Sequence, residues 1–293
     1  MLIARLIAEP ATLETRLDAM SASLDAQGLR TASAVMLDFC GDVLQLTFAD
    51  GDPATVLRAI DEHFSPADML VSDVEIMCPH VFVSDMDSTM IQQECIDELA
   101  DFAGIKDRVV DITERAMQGE LDFESALRER VALLAGLDED VIETCLADRI
   151  SATPGARILV STLKAKGCRT ALVTGGFHHF ADRIGEELGF DRVVGNTLDV
   201  VGGKLTGGLA GSITDANTKK SVLEEEVAKL GPAAISLAMG DGANDIPMIE
   251  SATYGFAFRA KPKARAAANG RIDRGDLTSA LSLLGVPKSE WVE

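Results

Sequence analysis

The chain of 293 residues is long enough for a large hydrophobic core and for two or three structural units. Its net charge of -20 at pH 7 argues against a nucleic-acid partner or an acidic membrane surface. The apolar runs are short and interrupted, so no transmembrane helix is expected. The five scattered cysteines form no metal-binding motif, and we expect a cytoplasmic protein.

Residues 1–77 are predicted to form an α+β domain of the ferredoxin-like type. Hydrophobic periodicity predicts the order strand, helix, strand, strand, helix, strand, with the last strand from Met69 to Met77. Asp52 and Pro53 have the residue types of a helix cap and a first helical turn. This βαββαβ order is similar to the small-molecule-sensing ACT-type domains. A structural or dimerising role without a ligand is at least as consistent with the sequence as a ligand-sensing role.

A buried strand, Val81 to Asp85, is followed directly by a polar segment that contains a second aspartate, Asp87. Side chains alternate along a strand, so both carboxylates are expected on one side, at the strand end where open α/β sheets bind ligands. At a separation of about 4 Å and an effective dielectric constant of about 20, two such charges repel by roughly 4 kcal/mol. A nearby cation is therefore expected. By itself the segment is equally consistent with a simple turn.

Residues 91–150 are predicted to be helical, with an apolar stripe on the helix that begins near Phe123. At 100° per residue, Arg130 lies within about 20° of Phe123 on this stripe, whereas Arg128 does not. An arginine on an apolar face needs a partner. The partner is either a structural ion pair or a substrate carboxylate or phosphate.

Residues 151–293 alternate between helices and strands, which predicts a parallel sheet covered on both faces. The segment Arg192 to Val194 is predicted as a short strand, followed by a separate hairpin over residues 197–209. Two further strand ends carry polar or glycine residues, namely Thr174, Gly175, Asp241, Asn244 and Asp245. In a parallel sheet these ends meet at one edge.

The combination of groups at this edge indicates phosphoryl transfer through an aspartyl-phosphate. Oxygen ligands without sulfur or clustered imidazole favour Mg²⁺. The amides of Gly175 and Gly176, with the Thr174 hydroxyl and the Lys219 ammonium, are suited to holding a phosphate. His178 and His179 are adjacent, but we expect them at a helix start, because the carboxylates already account for the proton transfers.

Four segments together resemble the motifs of the haloacid dehalogenase superfamily. They are Asp85-Met86-Asp87-Ser88-Thr89, Thr174-Gly175-Gly176-Phe177, Lys219, and Gly240-Asp241-Gly242-Ala243-Asn244-Asp245. Segments 91–94, 117–123 and 127–131 are similar to the cap of its phosphoserine phosphatase family. The match covers about residues 80 to 290. Thr174 stands where many members have serine, which keeps the hydroxyl.

The resemblance implies a fold and a division of the chain. A Rossmann-like parallel sheet core would comprise residues 78–90 and 151–293, with a helical cap inserted at 91–150. Residues 1–77 would form the additional ferredoxin-like, ACT-like domain.

The resemblance also implies Mg²⁺-dependent hydrolysis of O-phosphoserine, the last step of serine biosynthesis, with these roles. Asp85 would be the nucleophile and Asp87 the general acid and base, and Asp85, the backbone of Asp87 and Asp241 would hold the metal. Glu94 would bind the substrate ammonium and Arg130 its carboxylate. The remaining substrate-binding residues would be Thr174, Gly175, Lys219 and Asn244, supported by Asp245, Met117 and Phe123.

Other functions remain open from the sequence. A phosphotransferase or a broader small-molecule phosphatase would use the same motifs. A non-enzymatic amino-acid sensor is disfavoured by the two intact acids Asp85 and Asp87. The expected partner is a small molecule, and a homodimer stays open.

Overall fold

The structure, a computed structural model, describes residues 1–7, 10–117 and 120–293. Residue 117 ends a helix, but the side chain of Met117 lies outside the described part, so its predicted role stays a prediction. None of the described helices combines the length and apolar character needed to cross a bilayer.

The amino-terminal domain is a four-stranded antiparallel sheet with two helices. Its elements are β1 (Leu2–Ile7), α1 (Leu13–Ala26), β2 (Thr31–Leu37), β3 (Val43–Phe48), α2 (Pro53–Phe64) and β4 (Asp68–Ser72). Strand β1 pairs with β3 and β4, and β2 pairs with β3, so the predicted ferredoxin-like order is confirmed. The Asp52 carboxylate caps α2 by accepting hydrogen bonds from the amides of Ala54 and Thr55.

Strand β4 is shorter than the predicted Met69–Met77. It ends at Ser72, whose hydroxyl donates to the Val74 carbonyl over 2.9 Å and accepts from the Val74 amide over 3.2 Å. This side-chain turn takes the place of further strand pairing.

The core and the cap follow along the chain. After β5 (Val81–Ser84), the segment predicted to form the cap contains α3 (Cys95–Phe102), α4 (Lys106–Met117), α5 (Phe123–Ala132) and α6 (Asp140–Arg149). The core continues with α7 (Ala156–Ala165), β6 (Arg169–Phe177), α8 (His178–Leu188), β7 (Arg192–Val201), β8 (Lys204–Ala210) and α9 (Ala216–Leu230). It ends with β9 (Ser236–Gly240), α10 (Ile246–Ser251), β10 (Tyr254–Phe258), α11 (Pro262–Ala267), β11 (Gly270–Ile272) and α12 (Thr278–Leu283).

The predicted break between a short strand and a hairpin after residue 194 is wrong. Strand β7 is continuous, because its first part pairs in parallel with β6 and its second part pairs antiparallel with β8. One strand therefore forms backbone hydrogen bonds with two different strands along its length. The change of partner produces a sequence pattern that looks like a break between two strands.

The central strand β5 is covered on both faces, as predicted for an α/β core. Val81 and Val83 pack in one cluster with Val222 of α9. Phe82, on the opposite face, belongs to the large cluster that contains Leu159 of α7. The strand is therefore buried along its whole length, and its carboxyl end is held rigidly.

The two sheets form a single eleven-stranded sheet in the order β2-β3-β1-β4-β11-β10-β9-β5-β6-β7-β8. Strand β4 pairs antiparallel with the short β11, with Leu70 opposite Gly270 and Met69 opposite Arg271. Strand β11 was not predicted from the sequence. The amino-terminal domain is therefore joined to the core through backbone hydrogen bonds.

Asp68 reinforces this junction from the first residue of β4. Its carboxylate is 1% exposed and accepts hydrogen bonds from the amides of Asp273 (2.9 Å), Arg274 (2.8 Å) and Gly275 (3.0 Å). It also accepts from the Ser279 hydroxyl over 2.7 Å. Four donors from the core thus satisfy one buried carboxylate of the amino-terminal domain.

Candidate active site

Asp85 lies at the carboxyl end of β5 and is 4% exposed. Its Oδ1 accepts a hydrogen bond from the Met86 amide over 2.8 Å and lies 2.6 Å from Nζ of Lys219. Burial first, and then the charge of Asp245, raise the pKa of Asp85 well above its usual range, while Lys219 opposes that rise. The carboxylate thus depends on nearby cations for its charge.

Lys219 is a fixed cation inside the site. It lies in the first turn of α9 and is 1% exposed, with Nζ between Oδ1 of Asp85 and Oδ1 of Asp245, the latter 2.7 Å away. Burial alone would lower the pKa of this ammonium, but the charges of Asp245 and Asp85 outweigh it and raise the pKa. The sequence predicted a point charge for phosphate, and the structure places that charge between two carboxylates.

Three carboxylates form a cluster that can hold a metal ion. Asp85, Asp241 and Asp245 each offer one oxygen, and these oxygens lie within 4.8 Å of one another. Asp245 also accepts a hydrogen bond at Oδ2 from the Gly242 amide over 3.0 Å. Burial raises the pKa of Asp241, so this acid too needs a counter-charge to stay ionised. An all-oxygen donor set of this charge fits Mg²⁺.

This cluster differs in one respect from the predicted metal set. It includes Asp245, which was expected only to support the site, whereas the Asp87 carboxylate is engaged elsewhere. The predicted contribution of Asp87 is its backbone carbonyl, which stays a prediction.

Asp87 lies between the core and the cap. Its Oδ1 accepts a hydrogen bond from the Cys95 amide over 2.7 Å, and its Oδ2 accepts from the Thr174 hydroxyl over 3.0 Å. Burial and the charge of Glu94 raise the pKa of Asp87 to about 6. The two acids of the motif therefore have different surroundings: Asp85 contacts the Lys219 ammonium, whereas Asp87 has a pKa suited to proton exchange near neutral pH and contacts no ammonium of the described residues.

The turn after β5 carries a strained residue, Ser88. Its φ of 53° lies in the left-handed region, where residues other than glycine are uncommon. Its hydroxyl donates to Oε1 of Glu94 over 2.7 Å. Sequence reasoning gave Ser88 no role, because the signal is a backbone angle that appears only in the fold.

Thr174 is fully buried and its hydroxyl makes two hydrogen bonds. It donates to Asp87 and accepts from the Gly176 amide over 2.8 Å. The hydroxyl, which was predicted to donate to the phosphate, therefore donates a hydrogen bond to the Asp87 carboxylate here. A Cβ on Gly176 would come within 2.8 Å of Oδ2 of Asp87, so the close approach requires glycine here.

The loop that contains Gly175 is fixed by Asn196, which the sequence analysis missed. Asn196 is 2% exposed, and its side-chain amide donates to the Gly175 carbonyl over 2.7 Å. Its Oδ1 accepts from the Thr214 amide over 2.8 Å. A buried asparagine of this kind carries no local sequence signal, because both partners are distant in the chain.

Arg130 faces the acidic side of the site from the cap helix α5. Its side chain is half-buried, and its Nε donates to the Ala126 carbonyl over 3.3 Å. Burial lowers the pKa of the guanidinium, and the charges of Asp97, Glu94 and Asp87 oppose that change. Arg130 and Glu94 thus lie close enough to interact electrostatically at the cap side of the site.

The other predicted residues occupy the rim of the site. The ring of Phe123 lies against Gly175, with Cζ 3.2 Å from the position that a Cβ would take there. Asn244 is half-buried in the turn Ala243–Asp245 that follows β9.

His178 begins α8 and accepts a hydrogen bond from the Gly195 amide, which agrees with the expected helix-start role.

Comparison with known proteins relates this site to hydrolases. A family model described as haloacid dehalogenase-like hydrolase matches residues 82–250. A protein of Archaeoglobus fulgidus named phosphoserine phosphatase is 47% identical over 71% of this chain. The matched part spans 60% of that protein and 51% of a phosphoserine phosphatase of Streptomyces coelicolor. A phosphoserine phosphatase of Streptococcus thermophilus is 45% identical over 70% of this chain and 95% of its own length.

Solved structures give the same picture. A hydrolase from Salmonella enterica serovar Typhi, described as a HAD family member, has a TM-score of 0.83 at 28% identity and covers 97% of this chain and 99% of its own. A substrate-bound phosphoserine phosphatase complex has a TM-score of 0.64 at 39% identity and covers 69% of this chain and 97% of its own. The first match includes the amino-terminal domain, whereas the second has the size of the core and cap.

Proposed function

We propose that this chain, which belongs to the haloacid dehalogenase-like hydrolase family, hydrolyses O-phosphoserine to serine and inorganic phosphate. Its relatives named phosphoserine phosphatase support the substrate. The observation that carries the proposal is the arrangement of two acids at the end of β5. Asp85 belongs to the carboxylate cluster, whereas Asp87 contacts the cap helix α3 and lies near the opposite charges of Glu94 and Arg130.

Asp85 is the nucleophile in this proposal. Lys219 and the Met86 amide both contact Oδ1 of Asp85, so Oδ2 of Asp85 is the oxygen that attacks phosphorus. The new bond joins Oδ2 to phosphorus while the bond from phosphorus to the seryl oxygen breaks. Lys219 favours the ionised form of the Asp85 carboxylate and orients it, because its Nζ is held in place by Asp245.

Asp87 moves the proton in both halves of the reaction. With a pKa raised to about 6 it can protonate the departing seryl oxygen, which leaves as the serine hydroxyl. The resulting carboxylate then takes a proton from the water that attacks phosphorus. That second attack breaks the bond to Oδ2 of Asp85 and restores both acids. Thr174 and Cys95 hold the carboxylate in place throughout.

Mg²⁺ is the metal that we propose for the carboxylate cluster. Asp85, Asp241 and Asp245 would hold it, together with the backbone carbonyl of Asp87. When bound, it supplies positive charge that offsets the repulsion between the nucleophile and the phosphate.

Two cap residues distinguish phosphoserine from other phosphate esters in this proposal. The Glu94 carboxylate, oriented by Ser88, pairs with the substrate ammonium. The Arg130 guanidinium pairs with the substrate carboxylate. Phe123, whose ring lies against Gly175, helps to exclude water from the closed site. A substrate without the amino-acid group would leave both charges unpaired.

The proposal includes a division of the chain and a place in the cell. Residues 78–90 and 151–293 form the catalytic core, residues 91–150 form the cap, and residues 1–77 form the ferredoxin-like domain. The reaction would be the last step of serine biosynthesis, in the cytoplasm.

A phosphate-release assay tests the proposal. The full chain, freed of metal with a chelator and supplied with Mg²⁺, is expected to release phosphate from O-phosphoserine with a higher kcat/KM than from phosphoethanolamine or glucose 6-phosphate. Asp85→Asn should abolish turnover while the circular dichroism spectrum stays unchanged. Equal kcat/KM values for all three esters would contradict the substrate, and turnover by Asp85→Asn near the wild-type rate would contradict the nucleophile.

A further inference from the structure

Two lysines touch the carboxylate cluster, and they differ in how firmly they are held. Lys219 is 1% exposed and lies between two carboxylates at 2.6 and 2.7 Å. The Lys261 side chain is 60% exposed, and its Nζ lies 3.5 Å from Oδ2 of Asp241. The first lysine is a fixed part of the site, whereas the second can leave it at little cost in buried contacts.

The backbone of Lys261 is anchored even though its side chain is not. Its amide donates to the carbonyl of Asp241 over 2.9 Å, and Pro262 then begins α11. This anchor keeps the ammonium within reach of Asp241. A lysine side chain has four rotatable bonds, so Nζ can withdraw into solvent without any movement of the backbone.

We propose that Lys261 is a displaceable counter-ion of Asp241. Its ammonium neutralises this carboxylate when no divalent cation is bound and moves away into solvent when one binds. The inference rests on the proposed function because it concerns the same metal site. Asp241 is 8% exposed and needs a counter-charge. Because the Lys261 ammonium lies beside a carboxylate that would hold Mg²⁺, its positive charge opposes the divalent ion and lowers the affinity of the site for Mg²⁺.

Direct titration of Mg²⁺ into the metal-free full chain tests this inference. Lys261→Gln is expected to lower the calorimetric Kd for Mg²⁺ about three- to tenfold, since a unit charge opposing the divalent ion is removed at close range. Lys263→Gln is the matched control, because this exposed lysine lies two residues further on and makes the same change in net charge. Its Kd should stay within twofold of wild type, as should that of Lys261→Arg, which keeps the charge.

A second readout is independent of heat signals. The rise in Tm caused by Mg²⁺ should be larger for Lys261→Gln than for Lys263→Gln. A Kd for Lys261→Gln equal to that of Lys263→Gln, or weaker than wild type, would overturn the inference, as would a wild-type chain that binds no Mg²⁺. Failure of the proposed function is distinguishable, because the expected Kd shift would then occur in a chain that releases no phosphate.

Discussion

The backbone amide of Cys95 donates a hydrogen bond to Oδ1 of Asp87 over 2.7 Å. Cys95 is the first residue of cap helix α3, whereas the other oxygen of Asp87 accepts from Thr174 in the core. The proposed proton donor is therefore held by both parts of the molecule. Burial between them, together with the charge of Glu94, raises its pKa to about 6. One carboxylate thus bridges helix α3 and strand β6.

Asp87→Asn should separate the two chemical steps. The amide cannot protonate a seryl oxygen, so kcat for O-phosphoserine should fall about 10²- to 10⁴-fold. p-Nitrophenyl phosphate needs no proton on its leaving group, so the variant should still give a rapid burst of nitrophenol equal to the enzyme concentration. Stopped-flow absorbance measures the burst, and Asp85→Asn, which lacks the nucleophile, is the control without one. Equal slowing of the burst and of O-phosphoserine turnover would contradict the role of Asp87 as an acid.

Arg130→Ala should impair recognition of the substrate carboxylate. The loss of a charged hydrogen bond, worth about 1.5–3 kcal/mol, predicts a rise of about 10- to 150-fold in KM for O-phosphoserine. The KM for phosphoethanolamine, which has no carboxylate, should change little. Arg128→Ala is the matched control on the same helix, because Arg128 is exposed and pairs with Glu124. Similar KM increases for both esters would remove Arg130 from carboxylate recognition.

The sequence predicted the architecture better than the contacts within the site. The carboxyl ends of parallel strands lie at one edge of a sheet, so the location of Asp85 and Asp241 at the same edge follows from the alternation of helices and strands. The partner of the Thr174 hydroxyl did not follow, because it depends on the position of Gly176 to within an ångström. The pairing of β4 with β11 was missed because β11 has only three residues and no distinct pattern.

Gly176→Ala should damage activity far more than stability. The new Cβ would lie 2.8 Å from Oδ2 of Asp87 and 3.1 Å from Oγ1 of Thr174, so one of these groups must shift. A displacement of this size near the reacting atoms predicts a fall in kcat of about 10²-fold. Gly208→Ala, at a half-buried position of strand β8 outside the site, is the control for a remote glycine. Wild-type kcat in Gly176→Ala would show that the close approach is dispensable.

The ionisation of Glu226 should make the free energy of unfolding depend on pH in the acidic range. Burial alone would raise its pKa, but hydrogen bonds from Lys229, Arg192 and Arg169 outweigh this and lower the pKa to about 2. A group with a depressed folded-state pKa stabilises the protein above its unfolded value and loses this effect as the pH falls. Between pH 4.5 and 2 the free energy of unfolding should therefore fall by about 3 kcal/mol from this residue alone.

Urea unfolding at several pH values measures this effect. Glu226→Gln should be less stable than wild type at pH 7, and the difference should shrink as the pH approaches 2. Glu225→Gln is the matched control, because Glu225 contacts Arg192 from an exposed position, with 54% of its side chain accessible. A constant difference between Glu226→Gln and wild type across this range would exclude the ionised carboxylate as the cause.

Asp68→Asn should weaken the junction between the amino-terminal domain and the core. The new amide group would face donors, because the Gly275 amide and the Ser279 hydroxyl both donate to Oδ2 of Asp68. Loss of these bonds in a buried position predicts a decrease of about 2–4 kcal/mol in the free energy of unfolding. Because β4 and β11 belong to one sheet, urea should still unfold the chain in one transition by both fluorescence and circular dichroism. Asp73→Asn, at an exposed position just after β4, is the control. Equal stability of the two variants would show that the Asp68 carboxylate does not hold the junction.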